Sequence, residues 1–414
     1  MKRKESTTNH LAVTTPRLVQ RHTCLAGLVA SCILALGLSG AAQDTFFITF
    51  DPPGSHGTTP TGFTDWGAIT GFYADANNAL HGFVRMPWGK FITFDVNGAG
   101  TMAGQGTFPY SVNWAGVITG YYLDSGNAAH GFVRSPVGRI TKIDVPGAVA
   151  CCGQGTFPAN INPEGAIAGS WVDPNFVLHA FVRTPFGRIT SFDVDGAGIG
   201  FAQGTYTTSI SGINAAGEIA GVYVDANDVQ HGFLRTRYGS ITKFDAPGAS
   251  PGPGSPGCIA NAVCPGTISG AINAEGTIAG FYLDTNNVEH GFVRSPQGEI
   301  TTFDVPGAGA AGPLQGTVSQ NINTKGVIAG FYTDTDYFRH GFLDSSDGDI
   351  QTFDVPGVVN SGPFSGTTPV NNNAEGAVTG YYTDADGVSH GFVMETGSPR
   401  PGPLVSGDSG EGER

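Results

Sequence analysis

The stretch His81 to Asp95, read as HGFVRMPWGKFITFD, constrains the chain more than any other, because it returns with small changes until the chain ends. Its histidine recurs as His81, His130, His179, His231, His290, His340 and His390. A Phe-Asp or Ile-Asp pair recurs at Asp51, Asp95, Asp144, Asp193, Asp245, Asp304 and Asp354. From each of the first six histidines to the next such aspartate is 14 residues. A period of roughly 50 residues is the mark of an array in which each unit buries its apolar face against its neighbours. The 414 residues therefore need not divide into several domains, since one closed array can use the whole length.

Each unit reads as four short strands. A Gly-Thr anchor opens the first, as in GTFPANIN (Gly155 to Asn162), and an Asn-x-x-Gly turn ends it. The second is of the type Ile278 to Asp284, and after a polar turn the third is HGFVR. A Pro/Gly turn then leads to the fourth, as in ITTFDVPG from Ile300 to Gly307. Aromatic and β-branched residues bounded by Gly, Asn and Asp are strand-and-hairpin chemistry, and 64 glycines with 26 prolines supply the turns. The anchors Gly57, Gly106, Gly155, Gly204, Gly266, Gly316 and Gly366 precede their histidines by 24 residues, except for 27 after Gly204. Most length variation falls between one unit's aspartate and the next anchor, up to 21 residues from Asp245 to Gly266, which places that connection on the surface.

The two ends of the array complement each other. The last unit stops at HGFVM (His390 to Met394) without a fourth strand, and Phe47 to Asp51 is a fourth strand without its HGF. Pairing the two would hide two sticky sheet edges. The expected fold is all-β, a seven-bladed β-propeller of four-stranded blades over residues 43–394, with an open β-repeat solenoid as the alternative. Residues 395–414 read as a disordered tail. The units resemble the extracellular HAF-repeat family, named for a His-Ala-Phe signature; His179-Ala180-Phe181 matches it literally, and the other six units have His-Gly-Phe. The resemblance covers about residues 45–394. It implies an exported, propeller-like protein and carries no activity onto particular residues.

Residues 1–42 read as a signal peptide: Lys2, Arg3, Lys4, Arg17 and Arg21 precede an apolar run from Cys24 to Leu38 and the small residues Ser39 to Ala42. An uncleaved anchor is the alternative, although the run is short for a span of about 20 residues. Val29 to Cys32 faintly resembles a lipoprotein box, against which the apolar residues after Cys32 argue. The expectation is a secreted, extracellular or periplasmic protein. Cleavage would take the net charge from −14 to −18, since five basic residues and one acidic residue leave. That acidity disfavours nucleic acid and anionic membranes as partners. A monomer is expected, with no membrane contact beyond the export signal. Cys258 and Cys264 close the short loop CIANAVC and are expected to form a disulfide in an oxidising compartment. Cys151-Cys152 could form a vicinal disulfide, stay free or pair with other chains.

Several residues suggest chemistry. A catalytic acid–base pair is needed once, whereas the histidines and aspartates occur in every unit, so they read as a structural hydrogen-bond network. Asp75, Asp124, Asp173, Asp225, Asp284, Asp334 and Asp384 stand in turns such as DADG. Such turns can hold calcium but also form without metal, so no cofactor is expected and calcium stays open. The aromatic pairs such as Phe72-Tyr73 and Tyr121-Tyr122 read as packing. Departures from the repeat are where a unique site would lie: Trp66 and Trp114 in the turn after the first strand, Trp171 in a second strand, and Trp88 in the turn after HGFVR. Trp88 is the least distinctive of these, because Phe186 and Tyr238 hold its place later. The Arg that ends HGFVR becomes Asp344 and Met394 in the last two units. The reading is a secreted, non-enzymatic propeller that binds an extracellular glycan, cell-wall component or protein through the tryptophans. A lyase or glycoside hydrolase with its site at the channel mouth, or a purely structural surface protein, are the alternatives. Glu164, Glu275 and Glu375 recur in turns and do not qualify as unique acids.

Overall fold

The computed structural model describes residues 45–149, 151–207, 212–253 and 264–396. The expected leader, Cys258 and residues 397–414 lie outside the described residues. Among the described residues there are no helices, and 28 strands form seven units of four. Unit 2 shows the pattern: an inner strand Gly106–Val112, a second Ile118–Leu123, a third Ala129–Arg134 and an outer strand Ile140–Ile143. They pair antiparallel in sequence order.

The phenylalanine of each HGF motif fills the centre of its unit. Phe83, Phe132, Phe181, Phe233, Phe292, Phe342 and Phe392 are all fully buried. The phenylalanine that ends an outer strand meets the HGF ring of the following unit edge-on, as in Phe94–Phe132, Phe192–Phe233 and Phe303–Phe342, with centroids 6.1–6.2 Å apart. Aromatic pairs at this spacing and tilt add to the area they bury. A hydrophobic cluster therefore sits at each interface between adjacent units, which is why the repeat needs neighbours.

The Gly-Thr anchor has two separable roles. Gly106 sits at φ +127°, and a Cβ there would lie 1.9 Å from the carbonyl oxygen of Leu80 in unit 1, where the two residues form a parallel bridge. No L side chain fits that approach. Thr107 is fully buried, and its Oγ1 accepts from the amide of Val96 just beyond the preceding outer strand. Thr156, Thr205, Thr267, Thr317 and Thr367 repeat this bond at 2.9–3.1 Å.

The ends join as the split repeat predicts. Thr45–Phe50 pairs antiparallel with Ser389–Thr396 and becomes the outer strand of unit 7. Phe50 then meets Phe83 of unit 1 at 6.3 Å, as the other outer-strand phenylalanines do. The array is a closed seven-unit β-propeller and not an open solenoid. The last strand extends two residues beyond the expected boundary at Met394, because Glu395 and Thr396 pair with Phe46 and Thr45. In unit 4 the inner strand is described over Gly204–Tyr206, and residues 208–211, within the longer stretch after Gly204, lie outside the described residues.

Candidate functional site

The recurrent histidines and aspartates do form a network. In every unit the histidine Nδ1 lies 2.7–2.9 Å from the Phe-Asp or Ile-Asp carboxylate, with His390 reaching Asp51 across the ring closure. Nε2 faces the turn aspartate at 3.1–3.9 Å. The ring also stacks on the second aromatic of the second strand, as His130 does on Tyr122 at 5.0 Å. Trp171 takes that role in unit 3, stacking on His179 at 4.3 Å and donating its Nε1–H to Ser191 Oγ at 3.0 Å. It therefore replaces a tyrosine, away from the other tryptophans.

Two carboxylates beside one imidazole favour its cation. His231 is held above its ordinary value by its bond to Asp245, and His340 by its bond to Asp354, in both cases against partial burial. Partial burial opposes the rise at His390 as well, but the bonds to Asp51 and Asp384 prevail. The turn aspartates are occupied in the same way. Asp75 Oδ1 accepts from the amides of Asn77 and Ala79 while its Oδ2 faces His81, and the amide bonds hold it below the usual carboxylate range. These are Asx turns, in which the aspartate bonds its own backbone. Among the described residues no three histidine, cysteine, aspartate or glutamate side chains are arranged to hold a metal ion.

A second ring surrounds the centre, built by the Asn-x-x-Gly turns. Each asparagine Oδ1 accepts from its own turn, as Asn113 does from Ala115 and Val117. Its Nδ2 then donates to the backbone carbonyl of the corresponding residue in the next unit. The chain runs Asn113 to Asn162, Asn162 to Asn214, Asn214 to Asn273, Asn273 to Asn323, Asn323 to Asn373 and Asn373 to Thr64, at 2.9–3.5 Å. Unit 1 has Thr64 in place of asparagine and cannot make the seventh link. There Trp66 donates its Nε1–H to the Trp114 carbonyl at 3.0 Å, so an indole bridges the gap in the amide ring.

The ring borders a mouth of about 230 Å³ lined by the inner strands, where Asp65 is the one carboxylate among the lining residues and accepts from the Ala374 amide. Glycoside hydrolysis ordinarily uses two carboxylates flanking the bond. Deeper in the array, Tyr110, Tyr121 and Phe157 line a smaller cleft, and their rings pack on one another at 5.0–5.5 Å.

The exposed aromatics share the face that carries this mouth. The turn ending each inner strand packs against the turn between the third and outer strands: a Cβ on Gly116 would lie 3.7 Å from Pro136, and one on Gly165 would lie 3.7 Å from Pro185. Trp66 and Trp114 therefore stand beside a rim of hairpin tips formed by Trp88, Val137, Phe186 and Tyr238 at equivalent places in units 1 to 4. Trp114 is 65% exposed, Phe186 99% and Tyr238 86%. Exposed cations stand within two residues of each tip, namely Lys90, Arg139, Arg188 and Arg237, and the Arg237 guanidinium lies 5.2 Å from the Tyr238 ring. Units 5 and 6 present Gln297 with Glu299 and Asp347 with Asp349 instead. The position that recurrence made least distinctive in the sequence thus forms an arc of exposed apolar residues across units 1 to 4.

Cys151 and Cys152 are free thiols, Cys152 exposed and Cys151 with its Sγ 3.6 Å from Gln154 Oε1. Cys264 is buried.

No protein-family model matches the chain, and no curated protein matches it. Among solved structures it is similar to the BP39L lectin from Burkholderia pseudomallei, at 14% identity and TM-score 0.49 over 84% of this chain and 99% of that one. It is also similar to a lectin of Aleuria aurantia in complex with Fucα1-6GlcNAc, at 13% identity and TM-score 0.39 over 72% and 96%. A puromycin hydrolase is similar at 12% identity and TM-score 0.47, over 81% of this chain and 52% of that one. At such identities and TM-scores none of the three assigns a ligand or an activity to this chain.

Proposed function

We propose that the protein is an exported, non-enzymatic carbohydrate-binding propeller of the HAF-repeat type, which holds glycans on the face carrying Trp66, Trp114 and the hairpin tips of units 1 to 4. The observation that carries this reading is the arc itself. Large rings at 56–99% exposure, Trp88, Trp114, Phe186 and Tyr238, stand on units 1 to 4, whereas the tips of units 5 and 6 carry Gln297, Glu299, Asp347 and Asp349. Isolated exposed apolar residues are ordinary, but their concentration on one side marks a binding surface. Flat rings offer their faces to the C–H surfaces of sugars, and the flanking lysine and arginines donate to hydroxyl or carboxylate oxygens. The single bonded carboxylate at the mouth favours holding over hydrolysis. Export also accounts for the leader-like segment at residues 1–42, and a bridge between Cys258 and Cys264 would suit the same compartment.

The test is a glycan array probed with the secreted protein and with the triple variant Trp114→Ala, Phe186→Ala, Tyr238→Ala. All three side chains are exposed, so the variant should fold with an unchanged unfolding midpoint. The expected outcome is retention of at least one glycan class by the wild type and a loss of about tenfold or more in the variant, as for loss of stacking contacts. An empty array, or a variant that binds as well as the wild type, rejects the reading.

A further inference from the structure

The interface between units 5 and 6 differs from its four arginine-covered counterparts in one side chain. In four units the arginine that ends the third strand reaches back over the outer-strand phenylalanine of the preceding unit. Arg85 stands 4.9 Å from the Phe50 ring, Arg134 4.6 Å from Phe94, Arg235 4.5 Å from Phe192 and Arg294 5.0 Å from Phe244. In unit 7 the position is Met394, which packs into the core with Phe353. In unit 6 it is Asp344, yet the ring it should cover, Phe303, is still present. A cleft of about 450 Å³ opens there, lined by Phe303, Asp344, Thr277, Thr301, Ser345 and apolar side chains. Asp344 is 8% exposed and its Oδ1 is buried with no hydrogen-bond partner. Burial first, and then the nearby negative charges of Asp347 and Asp349, push its carboxyl upward.

We infer that this cleft is a binding site for an alkylguanidinium group, which would take the place that an arginine of this chain occupies at the equivalent interfaces. The chemistry is complementary on three counts. A buried carboxylate without a partner is costly, and a guanidinium supplies the missing donors in a charge-assisted pair. The uncovered Phe303 ring offers the cation a π-face, as its counterparts do to arginines. The apolar walls accept the alkyl stem. The donor could be a free small molecule or an arginine of a partner chain. This inference is independent of the carbohydrate reading, because it concerns a different interface and a different ligand.

The experiment is calorimetric titration of the whole protein with n-butylguanidinium, with its neutral isostere n-butylurea, and with the peptide Gly-Arg-Gly. Saturable binding of butylguanidinium with none of butylurea is expected. Asp344→Asn should weaken it by about tenfold or more, since the charge is lost but the shape is kept. Asp344→Arg restores the side chain of the other interfaces, so it should abolish binding and raise the unfolding midpoint. Binding of the peptide more tightly than butylguanidinium would point to a partner chain, and the reverse order to a free ligand; both support the site. Absence of saturable binding by either cation, equal binding of butylurea, or an Asp344→Asn variant that binds as the wild type does, overturns it.

Discussion

Each repeat histidine sits between two carboxylates and against a ring, and at His231, His340 and His390 this sets the sign of the effect on stability. For His231, His340 and His390 the folded value lies above the ordinary 6.5. Their contribution is therefore fully present below about pH 6.5 and is lost as pH rises through the folded values. Glu289 acts in the same direction. Burial between units, only partly opposed by Arg339, pushes it up to about 8 from 4.5, so it weakens the fold as pH rises between those values. The turn aspartates oppose both. Asp75, Asp124 and Asp384 are lowered from 3.8 chiefly by backbone amides, so their contribution is present above that value and fades as pH falls through the lowered ones. The expected profile of unfolding free energy peaks near about pH 4.5, where the aspartate contribution is complete, and declines toward pH 8.5, first through Glu289 and then also through the histidines. Urea titrations across that range check it, and a profile still rising from pH 6 to 8.5 would contradict the assignment. Glu289→Gln should flatten the alkaline decline.

At the scale of the strand, the anchor glycines are equivalent in sequence but not in space. Gly106 needs φ +127° and lies against a carbonyl of the preceding unit, whereas a Cβ on Gly57 would meet nothing within 4 Å. Gly106→Ala is expected to cost about 3 kcal/mol or more and Gly57→Ala under about 1. Urea midpoints of the two variants check this; equal losses would mean that the bridge to Leu80 is not what selects glycine. The contrast shows how far the sequence could be read. The spacing of histidine, aspartate and Gly-Thr was enough to place the strands, the hairpins and the histidine network, because local alternation and turn residues act within one unit. The asparagine ring was not legible, since its bonds join residues about 50 positions apart, as from Asn323 to Asn373. Nor was the division of labour among the tryptophans. Trp171 supports a histidine and Trp66 spans a missing amide, while Trp88 belongs to an arc whose other members are valine, phenylalanine and tyrosine.

For the whole molecule, closure depends on one short strand. Thr45–Phe50 supplies the outer strand of unit 7, and it brings the aspartate for His390 and the ring that meets Phe83. Deleting residues 45–51 should bare the edge of the last strand and lower the unfolding midpoint by more than about 10 °C. A permuted chain with the same residues joined after Thr396 should recover most of that loss, because it keeps the pairing and changes only the connection. Calorimetry of the two chains decides, and a deletion as stable as the parent would mean that the ring does not need its clasp.

The same clasp imposes an order in time. His390 and Asp51 are 339 positions apart, so the strand made first has no partner until nearly the whole chain exists. Units 1 to 6 can stack as they emerge, each on the one before, but only as an arc with two unpaired edges. The strands Thr45–Phe50 and Ser389–Thr396 must both be free in the same space before the circle can form. Until then the growing arc is open to other growing arcs.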